Sequence, residues 1–102
     1  MASKIRFSDK AVLDIELMMD HYRAVNSFLA QAFRRDLYEK LDDLLFFPES
    51  GAEFRSRIRR LLLIRFSCWI YYSIEPEEVA VVAVFHCSRD ITIVEERLTD
   101  NA

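Results

Sequence analysis

Three runs of β-branched and aromatic residues, 59–66, 68–74 and 79–86, follow one another with almost nothing between them. The first two nearly abut at Ser67, and Glu75-Pro76-Glu77-Glu78 makes a turn between the last two. Parallel strands need a crossover of a dozen or more residues, so strands this close pair only as antiparallel hairpins. A three-stranded antiparallel meander therefore anchors any fold the chain adopts. Its third strand, apolar on both faces from Val79 to Phe85, has the pattern of a central strand covered on both sides.

The preceding half supplies one cover. Residues 4–8 alternate, with Ile5 and Phe7 facing one way and Lys4, Arg6 and Ser8 the other, which predicts a short strand. Ser8 then caps a helix over about 9–23, with Asp9 placed well against the helix dipole. Val12, Ile15, Met18, Met19 and Tyr22 form its apolar stripe, with Asp14, Glu16 and Asp20 on other faces. Asn26-Ser27 breaks the pattern and caps a second helix, in which Leu29, Phe33, Leu37, Leu41 and Leu44 or Leu45 recur at the same spacing. Pro48 ends that helix, and 48–53 reads as a connector. The expected architecture is α+β: an N-terminal strand, a two-helix hairpin and a three-stranded meander in a mostly antiparallel sheet. The hairpin covers one sheet face. The other face has no evident cover within the chain, which predicts that a partner covers it. The tail, 91–102, places Ile91, Ile93 and Val94 before a run of charges and is expected to pack loosely and fray.

The sequence predicts a single domain over 1–102 with no repeats or linkers. Average usage would give about seven glycines in such a length, yet Gly51 stands alone. Dinucleotide fingerprints need three glycines and phosphate-cradling Walker loops two, so both are excluded. Cys68 and Cys87 fit no CxxC spacing, and with His21 and His86 they match no structural zinc pattern; neither metal nor cofactor is expected. The longest apolar run has seven residues against the ~20 that cross a bilayer, and the N-terminus lacks a signal-peptide core. A cytoplasmic protein without membrane contact is the expectation.

The net charge of −3 hides a local contrast. Arg55, Arg57, Arg59, Arg60 and Arg65 lie within 54–74 with no acid among them, while outside that stretch nine bases face seventeen acids. A basic tract in an acidic chain marks a surface for an anionic partner.

Several segments together resemble a known family. Phe46-Phe47-Pro48 with Gly51 follows the second helix; Arg59-Arg60-Leu61 leads to Arg65-Phe66 and Ile70-Tyr71-Tyr72; Ala83-Val84-Phe85-His86-Cys87-Ser88-Arg89-Asp90 closes the meander. In this order, over about residues 5–90, the chain resembles the RelE/ParE superfamily of bacterial toxin–antitoxin toxins. The resemblance implies a small antitoxin partner, ParD-like or similar, in a hetero-oligomer. That antitoxin is expected to be helical then extended, crossing the helical hairpin and the open sheet face, and acidic where it meets Arg57, Arg59, Arg60 and Arg65.

The resemblance also implies two different activities. RelE-like members sit in the ribosomal decoding site and cut messenger RNA; ParE-like members act on DNA gyrase. RNA cleavage needs a base, an acid and cations for the phosphate. A nuclease here would draw them from His86, Tyr72, Arg65 and Arg89. Ribonuclease-type members often carry lysines along the basic strand and a Tyr or His near the C-terminus. This chain has only Lys4, Lys10 and Lys40, and no Tyr or His beyond His86. The departure favours the ParE-like (plasmid stabilisation) branch, with Arg57, Arg59, Arg60, Arg65, His86 and Arg89 contacting target or antitoxin. A third reading is an inactive or orphan binding protein of the same fold. Each residue also has a structural alternative: arginines solvated at a strand entrance, Arg89 ion-paired with Asp90, His86 as a hydrogen-bonded framework residue.

Overall fold

The computed structural model describes residues 2–100. Its elements are β1 (Lys4–Phe7), α1 (Asp9–Val25), α2 (Ser27–Phe46), β2 (Ala52–Arg55), β3 (Ile58–Leu63), β4 (Cys68–Glu75), β5 (Glu78–His86) and α3 (Ile91–Asp100). One five-stranded sheet runs in the order β1-β5-β4-β3-β2. The meander is antiparallel throughout, and β1 joins it parallel to β5 with Ile5 opposite Val79. The α+β architecture read from the sequence is the one observed.

Local chemistry sets the element ends. Ser8, in extended conformation, accepts a hydrogen bond from the Ala11 amide at 3.1 Å and starts α1. Asn26 makes the corner of the helical hairpin by itself. Its N–H donates to the Tyr22 carbonyl and its side chain accepts from the Phe28 amide at 2.7 Å, so one extended residue closes α1 and opens α2. Along α2, Phe33, Leu37, Leu41 and Leu44 are buried at intervals of four and three. They pack with Ile70, Tyr72, Val79, Val81 and Val84 of the sheet into the main core. On α1 Ala11 and Asp14 are buried, and Ile15, Met18, Met19 and Tyr22 of the expected stripe are half-buried against that core, whereas Val12 is 42 % exposed.

The far face of the sheet differs from expectation. The tail does not pack loosely. Asp90 caps α3 by accepting from the Thr92 amide at 2.7 Å, and Val94 and Leu98, four apart, are buried against Tyr71, Val82, Ala83 and Phe85. The chain's own C-terminal helix thus covers part of the face assigned to a partner, with Ile91 and Ile93 left exposed. Residues 101–102 lie outside the described residues.

Two further boundaries shift. The expected connector 48–53 contains a short 3-10 turn, Pro48–Ser50, and the start of the edge strand β2, which pairs with β3 in an irregular register. The first run of the meander stops at Leu63. A 3-10 turn, Ile64–Phe66, follows, and Ser67 takes the left-handed conformation (φ 50°) to reverse the chain. Arg65 therefore does not share a strand face with Leu61 and Leu63.

β1 is too short to span its neighbour, pairing only with Glu78 to Val81. Beyond it, side chains substitute for a strand. The Val84 amide donates to Asp14 at 3.0 Å, and the Val82 carbonyl accepts from Ser8 at 3.4 Å and from Arg97 at 3.5 Å. The Val82 carbonyl and the Val84 amide on this margin are thereby satisfied without a further strand.

Candidate functional site

The arginines of the basic tract do not converge. β3 alternates, so Arg59 opposes Tyr72 on the hairpin side while Arg60 opposes Tyr71 on the α3 side. Arg59 donates to the carbonyls of Gly51 at 2.8 Å and Glu49 at 3.3 Å, tying the connector to the sheet. Arg60 lies over Trp69 and Phe54, its guanidinium carbon 3.9 and 4.7 Å from the two ring centroids. Arg57, at the β2–β3 turn, pairs with Glu75 at 3.2 Å. Arg65 pairs with Asp36 of α2 at 3.3 Å. Each points to a different intramolecular partner.

The proposed proton carriers also separate. Tyr72 is fully buried. Its hydroxyl donates to the Pro48 carbonyl at 2.6 Å and accepts from the Gly51 amide at 2.9 Å, and burial raises its pKa. A hydroxyl so enclosed holds the connector rather than meeting a substrate. The same contact explains the lone glycine. Gly51 has an ordinary φ of −75°, but a Cβ there would lie 2.5 Å from the tyrosine oxygen and 2.8 Å from the Arg60 carbonyl. Close approach, not a special turn, requires glycine.

His86 stands exposed at the end of β5. The Ser88 amide donates to its Nδ1 at 3.1 Å, which makes that nitrogen an acceptor and leaves the ring hydrogen on Nε2. Arg89 sits with its guanidinium carbon 5.0 Å from the Phe85 ring centroid. It does not pair with Asp90, whose carboxylate caps α3. His86 and Arg89 line one groove, joined there by His21 of α1.

Sequence reading missed a further pair. Asp14 of α1, only 7 % exposed, receives two hydrogen bonds from Arg97 of α3 at 2.7 and 3.0 Å. Asp14 falls three residues after Ala11 and four before Met18, on the inward stripe, and that spacing was the available signal. Cys68, buried beside Tyr22, has its thiol pKa pushed up to about 11 by burial, while Cys87 is exposed. Tyr22 rises to about 12, through burial first and its contact with Cys68 second.

Ile64, on the turn after β3, is 75 % exposed. The helical hairpin carries several strongly exposed large apolar residues, Leu17, Val25, Phe28 and Phe46, with Phe47 just beyond it, from 57 % to 77 % exposed. Beside them, between β1, α1 and α2, runs a groove of about 440 Å³ floored by Phe7, Ile15 and Met19 and rimmed by Glu16, Arg23 and Arg34. Apolar floors with mixed charged rims suit another polypeptide. Among the described residues no group of three His, Cys, Asp or Glu side chains is placed to hold a metal, and no helix is long and apolar enough to cross a membrane.

The profile of the ParE toxin of the type II toxin–antitoxin system, parDE, matches residues 5–91. The chain belongs to the ParE toxin family. It is thus a toxin of the type II toxin–antitoxin class. Among solved structures, a chromosomal ParDE toxin–antitoxin system from P. aeruginosa superimposes with a TM-score of 0.72 at 21 % identity, covering 84 % of this chain and 96 % of that one. An arginine-substituted E. coli RelE toxin in the free state gives 0.65 at 18 %, covering 99 % and 98 %. The intact E. coli RelBE toxin–antitoxin complex gives 0.59 at 19 %, covering 86 % and 100 %. At such identities the likeness is one of fold. No curated protein sequence matches the chain significantly. Within the ParE family's fold, the residues flagged from the sequence divide into buried or half-buried ones (Tyr72, Arg59, Arg60) and exposed ones (Arg57, Arg65, His86, Arg89).

Proposed function

We propose that this ParE-family chain arrests growth by binding a macromolecular target, DNA gyrase, and that a ParD-like antitoxin neutralises it by covering the outer face of the helical hairpin. The reading rests chiefly on one observation: the basic tract is distributed among intramolecular partners, whereas large apolar side chains of α1 and α2, Leu17, Val25, Phe28 and Phe46, stand exposed. Such a chain is equipped to dock rather than to move protons. The sequestered Tyr72 hydroxyl adds support, since it withdraws one of two candidate proton carriers.

The RelE-type ribonuclease is the competing reading, and what favours it is His86, exposed beside Arg89 with Nε2 as a donor. Purified chain assayed in parallel against gyrase supercoiling and in a translation reaction separates the two. Inhibited supercoiling with intact messages is the expected result. Message cleavage that disappears in His86→Ala overturns it. Arg65→Ala adds a site test: it relieves toxicity if this exposed arginine meets the target, while stability stays within about 1 kcal/mol, as for other exposed ion pairs.

A further inference from the structure

The groove between the C-terminal half of α1 and the end of β5 gathers donors with no carboxylate answering them among the described residues. It has a volume of about 410 Å³ and holds both histidines of the protein, His21 and His86, together with Ser88 and Arg89. Leu17 and Met18 form an apolar wall. The one acid facing it, Asp14, is held by Arg97 and by the Val84 amide, so its charge is already answered. Tyr22, the remaining titratable group of the groove, contacts the His21 ring on one side and buried Cys68 on the other. Asp90, adjacent to Arg89 in sequence, turns its carboxylate onto the Thr92 amide. Arg89 consequently has no carboxylate partner among the described residues; its one contact is the ring of Phe85, which leaves the N–H rim of the guanidinium available. Ser88 fixes His86 with Nε2–H outward as a second donor.

We propose that this groove receives a carboxylate side chain, glutamate or aspartate, from the antitoxin, with an aliphatic neighbour of that residue resting on Leu17 and Met18. The proposal builds on the antitoxin partnership above. Charge complementarity selects the occupant: in an acidic protein the groove offers one permanent cation and imidazole donors, which match a single negative charge. A phosphate, bearing nearly two charges at neutral pH, calls for a denser set of cations. The apolar wall likewise fits a side chain borne on a polypeptide.

The test uses the full chain and follows the ring resonances of its two histidines by NMR, so that the readout is local to the groove. The probes are a capped tetrapeptide, acetyl-Leu-Glu-Leu-Ala-amide, its Gln counterpart, and inorganic phosphate. We expect the Glu peptide to shift both histidine signals saturably and the Gln peptide to bind about three- to fivefold more weakly, the range of a solvated ion pair. Arg89→Gln should remove that preference while lowering the free protein's melting temperature by no more than a few degrees, for the lost contact with the Phe85 ring; His86→Gln should weaken the Glu peptide in the same direction. Equal binding of the Glu and Gln peptides overturns the proposal. So does phosphate binding tighter than the Glu peptide, which marks a general anion site, or histidine signals that stay unmoved as the Glu peptide is added. Failure of the antitoxin reading registers separately: co-expressing the neighbouring open reading frame would leave toxicity unrelieved whatever the peptides do.

Discussion

Asp14→Ala removes the acceptor on which three donors converge. Arg97, whose side chain is 17 % exposed, loses a bidentate partner, and the Val84 amide loses its acceptor at 3.0 Å. Removing one member of a buried ion pair costs about 3–5 kcal/mol, because the other charge stays behind with less to balance it, here including the Val82 carbonyl and the Phe85 ring. Of this, the stranded amide alone represents about 1–3 kcal/mol. For a domain of this size each kcal/mol lowers the melting temperature by about 4–8 °C, so a drop of about 12–40 °C is expected. Thermal unfolding followed by circular dichroism reads the shift, and a cycle of Asp14→Ala, Arg97→Met and the double variant isolates the pair. The cycle should give a coupling of about 2 kcal/mol, within the range for contacting groups. Asp14→Asn retains an acceptor for Val84 and should fall between wild type and Asp14→Ala. A loss below 1 kcal/mol for Asp14→Ala, or strictly additive single effects, refutes the reasoning. Either outcome would mean that α3 is held chiefly by its other contacts, Val94 and Leu98 in the core and the ion pair of Glu95 with Arg55.

Gly51→Ala drives a methyl group against the Tyr72 ring and the Arg60 carbonyl and should destabilise by about 1–3 kcal/mol in urea unfolding; Tyr72→Phe relieves only part of that, since the backbone oxygen and ring carbon remain close. Arg60→Ala removes the cation lying over the single tryptophan, Trp69, and should cost about 1–2 kcal/mol while changing the intrinsic fluorescence of the folded state. Cys68, raised to about 11, keeps its proton in the folded state over a pH interval in which the unfolded thiol loses it, and Tyr22, raised to about 12, does the same somewhat higher. Their contribution to stability is therefore complete below pH 9 and declines as pH climbs from 9 towards 12, which pH-dependent chemical unfolding measures. At pH 8 a thiol reagent should modify Cys87 rapidly and Cys68 only on unfolding; equal rates for both contradict the burial of Cys68.

The meander, the helical hairpin and its corner were legible because each rests on local signals: closely spaced β runs, a 3-4 apolar period, and cap residues at Ser8 and Asn26. α3 was not, because only Val94 and Leu98 face inward in ten residues that also hold Glu95, Glu96 and Arg97. Two apolar positions among charges read as solvated chain, and only the sheet behind them supplies the reason to be helical. Asp14 was assigned to a polar face for a similar reason: an acid on a helix reads as solvated unless its partner is known, and that partner is 83 residues away. Alternation along β3 separates Arg59 from Arg60, so their divergence was implicit in the strand assignment. Arg65 was placed wrongly, within the 59–66 strand run and on the face of Leu61 and Leu63, since the strand gives way to a 3-10 turn one residue before it. The Tyr72 hydroxyl shows the limit of such reading, because nothing in a Tyr-Tyr pair says that one ring will meet the carbonyl of Pro48.

The short first strand has a kinetic consequence. β1 joins β5 across 74 positions, with Ile5 opposite Val79, and the bond from Arg97 to Asp14 bridges still more of the chain. The α1–α2 hairpin and the β3–β4–β5 meander close over much shorter distances and are expected to form first. Joining chain segments so far apart in sequence carries the larger entropic cost of loop closure, so the margin of β5 is sealed last. Until then the second half of a nine-residue apolar strand lies open along one edge. Newly made or refolding chains are therefore most prone to aggregation at β5, in the interval before Ser8, Asp14 and Arg97 reach it.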